Sequence, residues 1–372
     1  MKSRKWKRAL LLLLDFAILL VVAMIGILNQ PQFGQLPKGE RLERIKASPN
    51  YRDGEFKNLS ETPTFTSDKS GFMTMLDFAF SKKENLNPDD SLEFEKSDIK
   101  SLSRQENVLI WFGHSSYYIQ LDGKTFLVDP VFSGYAAPFS FTNKAFKGTD
   151  LYVTEDLPEI DYLIISHDHY DHLDHQTILK LNGKVKQVIC GLGVGQHFEF
   201  WGYDNSMITE LDWYDDIDLG DQMKLTATPA RHFSGRGLKR NQSLWASYVL
   251  QSDAFKMFIG GDGGHDPFFK KLGEKYGPFD LAILEQGQYN KRWQNIHLHP
   301  TELFTAAGEL SANRVFPVHN SKFALAAHPW NEPLKMIAEQ EASLPVMTPK
   351  IGEMVYLKDS TQTFEEWWRK WE

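Results

Sequence analysis

The stretch ISHDHYDHLD, at positions 165–174, contains three histidines and three aspartates directly behind the apolar run YLII. A short apolar run of this kind predicts a buried β-strand, so the polar cluster should lie at the carboxyl end of that strand. Ionisable side chains at the edge of a core are unfavourable unless each is paired or bound to a cation. Imidazole nitrogens and carboxylate oxygens are ligands that Zn²⁺ takes in proteins. The stretch therefore predicts a metal site rather than a solvated polar loop.

Three further residues of metal-ligand type follow predicted strands elsewhere in the chain. His232 ends LTATPARH, Asp262 ends FKMFIGGD and His319 ends RVFPVH. A single histidine after a strand is more often structural than a ligand, but four such strand ends together indicate one shared site. We therefore predict a metal site formed by His167, His169, Asp171, His172, His232, Asp262 and His319.

The spacing within the first cluster allows two ions. Alternate positions of an extended segment project to the same side, so His167 and His169 can bind one ion. Asp171 and His172, one turn further on, can face a second ion. The ligand types favour zinc and also allow manganese or iron.

The N-terminal segment, residues 1–29, differs in composition from the rest of the chain. Five Lys or Arg residues in MKSRKWKR precede an apolar run from Ala9 to Leu28 that only Asp15 interrupts. Twenty helical residues span about 30 Å, the thickness of a bilayer core. Asp15 disfavours insertion by up to about 3 kcal/mol, which fourteen Leu, Ile, Val and Phe residues outweigh at about 0.3–0.6 kcal/mol each.

We therefore expect an uncleaved, single-pass anchor in the cell membrane. The positive-inside rule places its N-terminus in the cytoplasm and the rest of the chain outside it. A cleaved signal peptide is the competing interpretation, but the apolar run is longer than the usual signal and no A-x-A site follows it.

The remaining chain divides into three predicted parts. Residues 30–105 are polar, with scattered Pro and Gly, and predict a linker and irregular extension wrapped on the main domain. Residues 106–357 contain strand patterns with helices between some of them, and a hairpin turn at Asp122. This pattern predicts an α/β or α+β domain. Residues 358–372 form a Trp-rich tail, predicted as a short amphipathic helix packed on the body.

Composition excludes several classes of protein. The 372 residues are 42% hydrophobic, which is enough for a sizeable core, and the net charge of -8 argues against a nucleic-acid partner. Cys190 is the single cysteine, so neither a disulfide within the chain nor a Cys-based zinc knuckle can form. We expect Cys190 to be a small buried hydrophobe.

The pattern H-x-H-x-D-H, followed by His, Asp and His at 232, 262 and 319, resembles the metallo-β-lactamase-fold hydrolases. More narrowly, the chain looks like the branch that contains N-acyl-phosphatidylethanolamine phospholipase D and ascorbate-6-phosphate lactonase. The similar stretches cover most of residues 107–330: WFGHSSYYIQLDGKTFLVDPVFS, ISHDHYDHLD, PARHF, GGDGG, YGPFDLAILEQGQYNKRW and FPVHNSKFALA.

The resemblance implies a fold, a ligand partition and roles for other residues. The implied fold is a metallo-β-lactamase-type αβ/βα four-layer sandwich with the site at one edge between two sheets. The resemblance also implies one zinc on His167, His169 and His232, and a second on Asp171, His172 and His319, with Asp262 bridging.

Three other histidines bear on the site. His297, in NIHLHP, resembles the histidine that the phospholipase branch places beside the substrate, and His299 is a less favoured alternative. For His114 we expect a structural hydrogen bond rather than a place among the ligands.

The aromatic residues Phe132, Tyr135, Phe139 and Phe141 can line an acyl-chain groove or form core.

The leading functional expectation is a membrane-anchored dinuclear zinc phosphodiesterase acting on glycerophospholipids. A hydroxide shared by two metals would attack phosphorus, so no Ser or Cys nucleophile is required. The same centre would equally serve a lactonase or another ester or amide hydrolase of a soluble small-molecule substrate. A catalytically inactive membrane-tethered module is the third alternative. Substrate-binding residues and oligomeric state are not predicted.

Overall fold

The computed structural model describes residues 2–371 of the chain. The α-helices are α1 (Lys2–Leu28), α2 (Gly39–Ala47), α3 (Gly71–Phe80), α4 (His175–Leu181), α5 (Gly195–Phe200), α6 (Phe268–Tyr276), α7 (Leu303–Glu309) and α8 (Glu332–Ala338). The strands of the first half are β1 (Tyr51–Arg52), β2 (Glu55–Phe56), β3 (Val108–Trp111), β4 (Tyr117–Leu121), β5 (Lys124–Val128), β6 (Ile160–Ile165), β7 (Val185–Gly191) and β8 (Ile208–Leu211). The strands of the second half are β9 (Asp216–Gly220), β10 (Met223–Thr228), β11 (Ser247–Gln251), β12 (Lys256–Ile259), β13 (Leu281–Glu285), β14 (Val315–Val318) and β15 (Met354–Tyr356).

Two mixed sheets form the centre of the main domain. The first has seven strands in the order β15-β3-β4-β5-β6-β7-β8, and the second has six in the order β14-β13-β12-β11-β10-β9. Strands β5 to β8 run parallel, as do β12 to β14. Asp122, with φ 45°, and Gly123, with φ 83°, form the predicted tight turn between β4 and β5.

Alternation along the strands sends side chains into two different cores. Tyr248 of the second sheet points into the core between the sheets, where its Oη donates to the carbonyl oxygen of Ile165 at 2.8 Å. Leu109 and Ile164 of the first sheet belong to the same core. Their neighbours along the chain, such as Ile165, face the opposite side of the first sheet. The core between the sheets therefore uses one face of each strand.

Helices cover the outer faces of both sheets. Ile178 of α4 and Phe198 of α5 pack against the seven-stranded sheet. Leu272 of α6 and Leu303 of α7 belong to the core of the six-stranded sheet. The result is the four-layer αβ/βα sandwich that the resemblance implied, and that expectation is confirmed.

The extension packs closely on this sandwich. It contains α2, α3 and the β1–β2 hairpin, of which only α3 carries an apolar run that sequence patterns detect. Helix α2 has a single buried residue, Ile45. It is fixed instead by ion pairs, such as that between Arg41 Nε and Glu210 Oε2 at 2.7 Å. A helix stabilised by such distant partners has no local apolar signature.

The two ends of the chain differ in their packing. Within α1, residues 5–28 are long and apolar enough to cross a membrane, a test that a signal sequence also passes. At the other end Trp367 and Trp368 are buried in the body. The helical part of the described tail is a short 3₁₀ helix, Trp367–Trp371, rather than an α-helix.

Candidate metal centre

Strand ends bring the seven predicted ligands to one edge of the sandwich. His167 follows β6, His232 follows β10, Asp262 follows β12 and His319 follows β14. Parallel strands carry their carboxyl ends to the same edge of a sheet, which is where open α/β sheets place their sites. The predicted convergence of four separate chain segments is what the structure contains.

Three histidines form the first group of potential ligands. His169 Nδ1 lies 2.8 Å from His167 Nε2 and 3.2 Å from His232 Nε2. One ring nitrogen from each histidine lies within 4.8 Å of the other two, so a single ion can contact all three. His167 and His232 are buried, while His169 is partly open to the adjoining pocket.

A second group contains Asp171, His172 and His319. His172 Nε2 lies 3.5 Å from Asp171 Oδ2, and ligand atoms of all three residues and His114 fall within 4.8 Å of one another. His114 Nε2 is 2.9 Å from Asp171 Oδ2 and is fully buried. That contact agrees with a hydrogen-bonding role for His114, in which it orients a carboxylate of the group.

Asp262 lies between the two groups. Its Oδ2 is 3.1 Å from His172 Nε2 and 3.8 Å from His232 Nε2, and its Oδ1 is 3.1 Å from His319 Nδ1. His172 Nε2 and Asp262 Oδ1 are buried and make no hydrogen bond within the described residues. Burial raises the pKa of Asp262 to about 7. Buried atoms that lack such partners, amid converging nitrogens and oxygens, fit divalent cations.

Burial also sets the charge state of most of the histidines. It lowers the pKa of His167, His232 and His319 well below the ordinary value. It lowers the pKa of His169 to about 4. In His172 burial acts in the same direction, but neighbouring carboxylates outweigh it and raise the pKa well above the ordinary value. Four of the five imidazoles are therefore held neutral, the form in which histidine binds a metal.

Contacts at Nδ1, the ring nitrogen that faces away from the other ligands, fix the orientations of His172 and His232. His172 Nδ1 lies 2.8 Å from Asp129 Oδ2, and His232 Nδ1 lies 2.8 Å from the carbonyl oxygen of Ile296. Asp129 also accepts hydrogen bonds from Ser166 N at 2.8 Å and Ser166 Oγ at 2.6 Å. An N–H at Nδ1 directed at such an acceptor leaves Nε2 free to bind an ion.

Sequence reasoning did not single out Asp129 or Glu285. Glu285 is the last residue of β13; its Oε2 lies 2.7 Å from His297 Nδ1, and its Oε1 accepts from Gly263 N and Leu298 N. Burial raises the pKa of Glu285 well above the ordinary value. Asp129 follows β5 in the same way. Their one sequence signal was an acid at the end of a strand, the pattern already used for Asp262.

The two candidate histidines of NIHLHP occupy different surroundings. The His297 ring centroid is 5.2 Å from those of His232 and His319, at the metal groups. The His299 ring instead packs on Tyr289 at 5.6 Å. The structure thus brings His297 to the site and leaves His299 outside it.

A pocket of about 220 Å³ opens beside the metal groups. Its walls include apolar and aromatic side chains from both the extension and the domain: Phe65, Met75, Phe233, Trp293, Ile296 and Leu325. None of the four aromatics at 132, 135, 139 and 141 lines this pocket in the described chain. Phe132 is core, whereas Phe141 is exposed.

A four-layer αβ/βα sandwich with clustered His and Asp side chains at one sheet edge is the architecture of a metal-dependent hydrolase. Residues 124–320 match the family model described as the beta-lactamase superfamily domain. The chain belongs to this family, the metallo-β-lactamase superfamily.

Similar proteins include one without an assigned activity and one named for phospholipid hydrolysis. An uncharacterized protein of Mycobacterium tuberculosis is 34% identical over 330 residues, which cover 87% of this chain and 88% of that protein. The N-acyl-phosphatidylethanolamine-hydrolyzing phospholipase D 1 of Caenorhabditis elegans is 33% identical over 222 residues, which cover 56% of this chain and 62% of the worm protein.

Among solved structures, the metallo hydrolase Igni18 of Ignicoccus hospitalis is similar in fold. The TM-score is 0.50 at 22% identity, covering 67% of this chain and 97% of that chain.

Proposed function

We propose that the protein is a membrane-anchored dinuclear zinc phosphodiesterase that cleaves glycerophospholipids. The observation that carries the proposal is the position of Asp262, between a group of three histidines and a second group that contains a carboxylate. In this assignment His167, His169 and His232 hold one ion, Asp171, His172 and His319 hold the other, and Asp262 contacts both. Manganese or iron in place of zinc would suit the same ligand types.

Zinc ions at these positions would make water a nucleophile near neutral pH and neutralise charge that develops on phosphodiester oxygens. Residues of the chain orient the metal-binding histidines. Asp129 and the Ile296 carbonyl fix the rings of His172 and His232, and the buried walls keep the imidazoles neutral.

His297 is the residue that we assign to the leaving oxygen. Its Nδ1 is engaged by Glu285 Oε2 at 2.7 Å, which fixes the ring and leaves Nε2 available. A proton held at Nε2 would be donated to the oxygen on which the broken P–O bond leaves its electron pair. Burial lowers the pKa of His297, so an imidazolium formed there is a stronger acid than that of an exposed histidine.

Three observations support a lipid substrate over a soluble one. The pocket beside the metal groups has aromatic and apolar walls. Helix α1 meets the length and composition of a membrane span. The worm relative is named for hydrolysis of a phospholipid. In this proposal α1 is an uncleaved anchor and the hydrolase domain lies outside the cytoplasm.

The test uses the full-length protein in detergent, with metal content measured and phospholipid micelles as substrate. Release of phosphatidic acid is expected. His297→Ala should lower turnover at least 100-fold with unchanged metal content, because general acid catalysis contributes about 10²–10⁴-fold. His299→Ala is the matched control, since it alters a neighbouring histidine outside the site.

Other outcomes would identify the alternatives. Hydrolysis of lactones without phospholipid turnover would replace the proposal with a soluble-substrate hydrolase. A protein that contains no metal and stays inert after zinc is added would indicate a catalytically inactive tethered module.

A further inference from the structure

Helix α3 exposes large apolar side chains beside the pocket. Phe72 is 73% exposed and Phe80 is 86% exposed, while Met73 and Met75 are 45% and 49% exposed. Apolar surface of this size on one short helix is unfavourable in water and marks a contact surface. The exposed face belongs to a helix of ten residues, Gly71–Phe80.

Contacts on its other face hold α3 at the pocket entrance. The Phe78 ring lies 5.0 Å from the Trp293 ring in an edge-on contact. Just before the helix, Thr66 N donates to the carbonyl oxygen of Arg292 at 2.8 Å. Met75 forms part of the pocket wall together with Trp293. The exposed phenyl rings are therefore fixed next to the opening that leads to the metal groups.

The loop 235–240 reaches the entrance of the metal-site pocket through its last residue, Arg240. Leu238, 75% exposed, is followed by Lys239 and Arg240, and neither of these two makes an ion pair with any residue from 2 to 371. The Arg240 guanidinium lies 4.8 Å from the centre of the Phe233 ring, and both residues line the metal-site pocket. An exposed leucine beside two unpaired cations matches the apolar and anionic layers of a phospholipid surface.

The same loop reaches the end of α1. Leu28, the last residue of α1, lines a second pocket together with Leu238 and Lys239. The next residue, Arg240, belongs to the metal-site pocket. The loop thus connects the end of the candidate span with the entrance of the site, so a bilayer entered by α1 lies against this side of the domain.

We propose that α3 and the loop 235–240, together the pocket rim, rest in the interfacial layer of a phospholipid bilayer. The metal-site pocket then opens onto the bilayer, and an amphiphile enters it from the lipid leaflet without crossing water. The inference deepens the proposed function and rests on its membrane anchor. A bilayer fits better than a second copy of the chain because the rim combines exposed phenyl rings with unpaired cations next to α1.

Fluorescence labelling tests the docking without reference to activity. The single native cysteine, Cys190, is buried, so a cysteine introduced on the surface can be labelled selectively. The full-length protein is reconstituted in vesicles of phosphatidylcholine and phosphatidylglycerol. Phe80→Cys and Leu238→Cys each carry an environment-sensitive nitrobenzoxadiazole label. Tyr356→Cys is the control, because Tyr356 is exposed and pairs with Val108 at the far end of the sheet.

Labels at 80 and 238 should show blue-shifted emission and at least twofold quenching by lipids that carry a shallow nitroxide, and the label at 356 should show neither. Equal behaviour at all three positions would overturn the proposal. Blue-shifted emission that depends on protein concentration and resists nitroxide lipids would show a second copy on the rim, and would overturn it as well.

A kinetic ratio provides the second measurement. Phe72→Asp combined with Phe80→Asp should lower the ratio of vesicle-lipid turnover to bis(p-nitrophenyl) phosphate turnover at least fivefold, whereas Tyr356→Asp should leave this ratio unchanged. An unchanged ratio in the double variant would contradict docking. If the wild-type protein hydrolyses no phospholipid, the proposed function fails, and the quenching result still decides whether the rim meets the bilayer.

Discussion

Asp129 offers the most direct test of how the candidate site is assembled. It is a buried carboxylate behind the site, and its three contacts are Ser166 N at 2.8 Å, Ser166 Oγ at 2.6 Å and His172 Nδ1 at 2.8 Å. Asp129→Asn preserves size and shape. Asparagine also accepts the left-handed backbone at this position, where φ is 42°. The substitution therefore changes one acceptor oxygen into a donor and little else.

The expected effect follows from the contact that is lost. A carboxamide has one acceptor oxygen, so it cannot serve Ser166 and the N–H of His172 as the carboxylate does. Loss of a group that orients a metal-binding histidine lowers metal affinity or activity about 10–100-fold. This range corresponds to about 1.4–2.8 kcal/mol of binding free energy. We expect the loss at the ion assigned to His172, with the ion assigned to His169 bound within about threefold of wild type.

Competition with a chromophoric chelator measures both affinities in the full-length protein. Asp161→Asn is the control, because Asp161 is the second residue of β6, at the strand end away from the site, and contacts Lys186 and Thr125. Two unchanged affinities in Asp129→Asn would refute the orienting role. An equal loss of affinity for both ions would show that Asp129 maintains the fold as a whole rather than the orientation of the His172 ring.

Three further outcomes are expected. His169→Ala should lower the metal content of the purified protein from two ions to one, as measured by elemental analysis, and unchanged content would contradict the assigned partition. Burial raises the pKa of Asp161, but Lys186 and its other partners outweigh this effect and lower the pKa to about 2. The carboxylate therefore stabilises the fold above pH 4, and this stabilisation is lost between about pH 4 and pH 2. Asp161→Asn should thus reduce the free energy of unfolding by about 1–2 kcal/mol at pH 7, a value limited by solvent screening, and the difference in melting temperature from wild type should shrink as the pH falls from 4. Gly273→Ala should destabilise the protein by about 1–3 kcal/mol, because a Cβ there would lie 2.0 Å from a backbone oxygen of α7. Gly308→Ala, where a Cβ would meet no atom within 4 Å, should stabilise α7 by up to about 1 kcal/mol. Equal melting temperatures for the two variants would contradict this packing.

The sequence predicted the fold class because its signals are local. Apolar runs that end in His or Asp mark strands whose carboxyl ends share an edge, and the H-x-H-x-D-H spacing is specific to one family. The same logic placed His232, Asp262 and His319 near the first cluster, as the structure does. Their role as ligands of two ions stays a prediction.

The parts that the sequence did not predict depend on distant partners. An acid such as Glu285 at a strand end looks like a solvated carboxylate until the fold brings His297 to within 2.7 Å of it. Helix α2 is fixed by ion pairs to residues more than 150 positions away. No pattern within a window of ten or fifteen residues contains that information.

Asn58, in the extension, holds the backbone of a candidate ligand by both of its polar groups. Its Nδ2 donates to the carbonyl oxygen of His232 at 2.8 Å, and its Oδ1 accepts from His232 N at 3.1 Å. The stretch that matches the family, residues 124–320, begins well after Asn58. A product trimmed to residues 124–320 would therefore retain every candidate ligand and lose the two hydrogen bonds by which Asn58 holds the backbone of His232. Residues 124–320 alone therefore lack part of the structure that holds the candidate site.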